Sequence, residues 1–132
     1  MMLTLLAAWL AASPPDLAAP NTRMTAGQLY DDCARFVARA PESHDGEAPE
    51  EAHCAMTVAI WRMMATAEAA ALETGGGPDP RTYCAPETIL NGDGIPIART
   101  FIAYVDDHPT VRGTDSEEIF QRALVEKWPC PR

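Results

Sequence analysis

The stretch Ile119-Phe-Gln-Arg-Ala-Leu-Val-Glu-Lys-Trp-Pro-Cys130 decides the fold. Ile119, Phe120, Ala123, Leu124 and Trp128 recur at three- and four-residue steps, which puts their side chains on one face of a helix. An apolar stripe of that width needs a core to cover it. Pro129 has no amide hydrogen and cannot continue the helix, so Cys130 falls just past its end at a fixed point. A terminal helix that must be covered, followed by a cysteine that must be tied, implies upstream segments arranged to receive both.

Working outward, Thr114-Asp-Ser-Glu117 reads as a capping box that opens this terminal helix. Before it, Ile97, Phe101, Tyr104 and Val105 repeat at helical steps from a start at Pro96 to a stop at Asp107-His-Pro109. Asn91-Gly-Asp-Gly94 is turn chemistry, too short and too poor in oxygen donors for a calcium loop. Tyr83-Cys84-Ala-Pro86 precedes it, with one helical turn expected after Pro86. Gly75-Gly-Gly-Pro-Asp-Pro80 ends a long alanine-rich helix and is not a phosphate loop, since no Lys-Ser/Thr follows it. That helix carries Cys54, Val58, Trp61, Ala65 and Leu72 on one stripe, and Pro49, Glu50 and Glu51 suit its start. Met56, Ile60, Met63 and Met64 widen the stripe. They are read as core filling, the alternative being an adaptable binding surface. Pro41 to Glu51 is a polar, acidic loop. Ahead of it, Thr25-Ala-Gly-Gln28 is a capping box with Met24 and Leu29 at the staple positions, and Leu29, Cys33, Phe36, Val37 and Ala40 share one face. No run alternates apolar and polar residues. The expected fold is all-α: a small disulfide-stapled bundle of about four helices in two antiparallel hairpins.

A chain of 132 residues makes one domain. Its formal charge is −9, and its ten basic residues are scattered singly, with no cluster to follow a phosphate backbone. Nucleic acid and anionic lipid are therefore poor partners, whereas a basic protein is steered toward the surface. Met1 to Ala12 is apolar, too short to span a bilayer and followed by small residues and prolines, as in a signal peptide. Residues 1–19 are expected to form the leader, cleaved after Ala12 or Ala19, and residues 20–132 the domain. Cys33, Cys54, Cys84 and Cys130 are even in number and widely spaced, without a Cys-x-x-Cys knuckle. In an oxidising compartment they form two disulfides, for which three connectivities exist. Antiparallel hairpins favour Cys33 with Cys54 and Cys84 with Cys130.

The catalytic inventory is thin. His44, His53 and His108 have no serine or free cysteine at a nucleophile–base spacing and no metal-binding repeat. His53 beside Cys54 suggests an activated thiol only if that cysteine is unpaired; a cystine is the simpler reading. Asp106-Asp107 oppose the helix dipole at a C-terminal end, which invites a cationic group.

The segments Thr25-Ala-Gly-Gln-Leu-Tyr-Asp-Asp-Cys33, Tyr83-Cys84-Ala-Pro86, Ala98-Arg-Thr-Phe-Ile-Ala-Tyr-Val-Asp-Asp-His-Pro109 and Ala123-Leu-Val-Glu-Lys-Trp-Pro-Cys130, with a lone Cys54 opening a helix, resemble the Rap/Tai family of type VI secretion immunity proteins. The resemblance implies a small helical periplasmic inhibitor, some forms dimeric, that blocks a peptidoglycan-cleaving amidase effector. It implies no catalytic residue, metal or cofactor. Candidate contact regions on such an inhibitor are the acidic loop at Asp45, Glu47 and Glu50, the turn at Gly92-Asp93-Gly94, and Asp106, Asp107 and Arg112; the competing reading of each is plain solvated surface. A periplasmic stress or chaperone-like protein is the alternative function.

Overall fold

The computed structural model describes residues 23–39 and 51–132. The expected leader, the region around Pro49 and the candidate residues Asp45, Glu47 and Glu50 lie outside them, as do Ala40 and His44. The described residues form α1 (Ala26–Arg39), α2 (Ala52–Thr74), the single turn α3 (Glu87–Leu90), α4 (Ile95–Asp107), a 3-10 turn (Pro109–Gly113) and α5 (Ser116–Lys127). Among them no strand occurs, and one isolated antiparallel bridge links Thr25 with Asp115.

Local chemistry sets the helix ends. At α1 the capping box forms as spaced: the Gln28 amide donates to Thr25 Oγ1 at 3.3 Å and the Thr25 amide to Gln28 Oε1 at 2.9 Å. At α5 the cap sits one residue later than the sequence suggests. Asp115 Oδ1 accepts from the amides of Glu117 at 3.0 Å and Glu118 at 3.3 Å. Thr114 is taken by another duty, because its carbonyl accepts from the Ala26 amide at 2.8 Å while the Ser116 amide donates to the Met24 carbonyl at 2.9 Å. That reciprocal pair is the bridge, and it stitches the start of the first helix to the start of the last. Helix α4 begins at Ile95, one residue before Pro96, from Gly94 at φ 83°.

Helix α1 packs chiefly on α4, and α4 and α5 lie side by side, as do α1 and α2. The terminal stripe is covered as its spacing demands: Ile119, Phe120, Ala123 and Leu124 are buried, and Trp128 is half-buried against them. An aromatic chain runs through the interior. Ring centroids are 5.0 Å apart for Phe101 and Phe120, 6.0 Å for Phe120 and Trp61, and 6.4 Å for both Trp61–Tyr83 and Tyr83–Trp128. Such pairs add directional attraction to the apolar burial. They join α4, α5, α2 and the segment around Cys84. Cys33 is bonded to Cys54 across the first hairpin, and Cys84 to Cys130 across the second half, with Cα separations of 5.0 and 4.9 Å. Around the first cystine, Arg39 Nη1 reaches the buried Glu51 Oε1 at 2.9 Å, and Arg35 Nη2 the buried Asp32 Oδ1 at 2.6 Å.

One expectation fails. Cys54, Val58, Trp61 and Ala65 are buried, but Met56, Ile60, Met63 and Met64 are not core; Met56 is 63% exposed and Met63 71%. At 100° per residue they point away from the buried stripe, and among the described residues α2 has neighbouring elements only on its buried side. A helix apolar on both sides has no single apolar stripe to tell the buried face from the exposed one, and here the second face is left uncovered.

Candidate partner-binding surface

Helix α4 ends in a knot of side chains from three elements. Tyr30 on α1 donates its hydroxyl to Asp106 Oδ1 at 2.7 Å, and the Arg112 guanidinium from the 3-10 turn lies 4.3 Å above the Tyr30 ring. The Asp106 hydrogen bond, then desolvation, push the Tyr30 hydroxyl above its ordinary value. The approach depends on Gly27, where a Cβ meets the Arg112 carbonyl oxygen at 3.2 Å. Arg112 and Asp106 thus meet on opposite parts of one side chain, the guanidinium over the Tyr30 ring and the carboxylate on its hydroxyl. One turn back, the His108 ring stacks on Tyr104 at 4.2 Å, with Nδ1 2.8 Å from the Tyr104 carbonyl oxygen.

From Asp107 and His108 an open groove of about 720 Å³ runs along the outer face of α4 toward the end of α5. Pro96, Arg99, Tyr104 and Asp107 line it from α4, and Lys127 and Trp128 from the opposite wall. Positions 96, 99, 103 and 107 form one helical face. The groove therefore offers apolar and aromatic floor with charge of both signs, the mixture found where protein segments dock.

The sequence candidates divide between two ends of α4. Asp106, Asp107 and Arg112 gather at the C-terminal end; Gly92 and Asp93 sit at the other, about 20 Å away for a helix of this length. There, Asp93 Oδ1 accepts from the Ile95 amide at 3.0 Å, so Asp93 helps to start α4. Gly94 is buried, and a Cβ on it meets Val58 Cγ1 at 2.5 Å. Tyr30 and the groove were missed by sequence reasoning, although the outward spacing of Pro96, Arg99, Ala103 and Asp107 is a legible signal.

All four cysteines are in disulfides. His53 Nδ1 is 3.3 Å from Asp32 Oδ2, away from any thiol chemistry. Among the described residues no group of His, Cys, Asp or Glu is placed to hold a metal ion, and no helix is long and apolar enough to cross a membrane.

The family model of the Rap1a immunity proteins matches residues 25–130 of the chain. No curated protein and no solved structure matches.

Proposed function

The chain belongs to the Rap1a immunity proteins, and we propose that it is a periplasmic immunity protein that binds and inhibits a type VI secretion peptidoglycan amidase effector. The single observation carrying this reading is the family match across both cystines and every described helix. An immunity protein neutralises a toxin by binding it, so its own surface supplies occlusion and no reaction. Two disulfides suit an oxidising compartment, which supports export, with residues 1–19 as the leader. They also hold the bundle rigid, which limits the entropy lost on binding. We assign the contact to the groove along α4, which Asp107 lines, and to Asp106 and Arg112, which hold Tyr30 near the end of the same helix. The charge of −9 favours a basic partner.

The test is a purified amidase effector assayed on peptidoglycan with increasing amounts of the protein. Inhibition saturating at a fixed stoichiometry is expected, and Asp107→Lys, which reverses a charge at the groove end, should weaken it about tenfold or more. Sedimentation of the free and bound protein distinguishes a monomeric from a homodimeric inhibitor. Full amidase activity at saturating protein sinks the reading. The chaperone-like alternative is favoured by one observation, the exposed apolar face of α2. It predicts binding of many unfolded clients and prevention of their aggregation instead of one partner.

A further inference from the structure

Helix α2 is unusual in how its charges are spent. Arg62 Nε donates to the Leu90 carbonyl at 2.9 Å, and the Glu68 carboxylate accepts from the amide and the hydroxyl of Thr82, both at 2.8 Å. Both charged side chains in the middle of the helix are thereby turned to neighbouring segments. What they leave outward is Met56, Ile60, Met63 and Met64, all exposed. Beside this face lies a hollow of about 440 Å³ whose apolar floor is Ile60, Trp61 and Met64. Its far wall is the start of α5, with Asp115, Glu117 and Glu118. Arg23, the cation of the lining, is 3.8 Å from Asp115 Oδ2, and Arg122 is paired with Glu118. Among the described residues Glu117 is in no ion pair. The surface is a flexible, polarizable thioether patch bordered by acid.

We propose that this face docks a basic amphipathic segment of a partner protein, with apolar side chains against Ile60, Met63 and Met64 and Lys or Arg against Glu117. Methionine suits such a role because its unbranched side chain repacks around varied apolar shapes, and an acidic border selects for positive charge. The chain itself cannot supply that occupant. Its basic residues are scattered singly, so a second copy brings no basic cluster and adds its own −9. The apolar run Met1–Ala12 contains no Lys or Arg at all. The inference does not require the segment to belong to the amidase, and it concerns a different helix from the groove along α4.

The probe is a pair of synthetic eighteen-residue helical peptides, one with leucine on one face and lysine on the other, the second with glutamate in place of lysine. Binding is followed by calorimetry against the wild-type protein and two variants of exposed residues, Met63→Glu and Glu117→Gln, whose unchanged circular dichroism verifies folding. The lysine peptide should bind the wild type, and Met63→Glu should weaken it at least about tenfold even though the variant is more acidic. Glu117→Gln should weaken it roughly threefold and flatten its salt dependence. The glutamate peptide should not bind. Equal or tighter binding to Met63→Glu overturns the proposal, since charge alone then explains the attraction. So does equal binding of the glutamate peptide, or a wild-type dimer that Met63→Glu dissociates, which assigns the face to a second copy. Amidase inhibition is read separately on the same variants, so failure of the docking face and failure of the inhibitor reading are told apart.

Discussion

Gly94 shows how much one missing methyl group carries. Its φ of 83° lies in the left-handed region, and the Cβ position is 2.5 Å from Val58 Cγ1 on α2. Gly94→Ala must strain the turn and push α2 outward together. We expect a loss of about 2 kcal/mol or more, seen as a melting midpoint lower by roughly 10 °C. Tyr83 is the other decisive single residue, buried with its hydroxyl donating to the Trp61 carbonyl at 2.8 Å. Burial first, and Glu68 second, push that hydroxyl from 10.0 up to about 12. A raised pKa means the folded state holds the proton more tightly, so the stability is complete below pH 10.0 and is lost as pH rises through about 12. Tyr83→Phe should cost about 1 kcal/mol at neutral pH and make unfolding less steep across that alkaline window, measured by denaturant titration at successive pH values. Neither residue stood out in the sequence. Gly94 reads as generic turn chemistry and Tyr83 as a neighbour of Cys84, because a close approach between distant segments leaves no local pattern.

At the scale of elements the clasp at the C-terminus dominates. Cys84 and Cys130 are 46 residues apart, and the Cys84 amide also donates to the Trp128 carbonyl at 2.8 Å. On the loop-closure account the cystine contributes about 4 kcal/mol, and Cys33–Cys54, spanning 21 residues, about 3. Cys130→Ser should therefore drop the melting point sharply, and more than Cys33→Ser does; an unchanged midpoint removes the clasp from the account. Asp115→Ala takes away the α5 cap and should cost about 1 kcal/mol, whereas Thr114→Val, which keeps the carbonyl bonded to Ala26, should cost less. That contrast marks the limit of reading elements from sequence. The helices, their stripes and the α1 capping box are legible because 3.6-residue periodicity and cap spacing are local. The choice between Thr114 and Asp115 is settled by a distant backbone partner of Thr114, the amide of Ala26, and the fate of the α2 methionines by which side of the helix has neighbours.

For the molecule as a whole, the surface is what sequence reads least well. Asp106, Asp107 and Arg112 were legible as candidates, but the meeting of Asp106 and Arg112 on Tyr30 depends on α1 packing against α4. If the inhibitor reading holds, association with a basic amidase should slow as salt rises while the dissociation rate changes little, measured by stopped-flow fluorescence. A rate indifferent to salt removes charge steering from the account.

The bridge between Thr25 and Asp115 also fixes a timetable. A polypeptide emerging from a ribosome or a translocation channel delivers Met24 and Ala26 early, yet their backbone partners Thr114 and Ser116 arrive only near the end of synthesis or passage. The first hairpin can close its own cystine while it waits, but its seam with the rest stays open until the final helix appears. Interrupted or truncated chains should accordingly be the ones that proteases clear, with one sulfur bridge made and the other never begun.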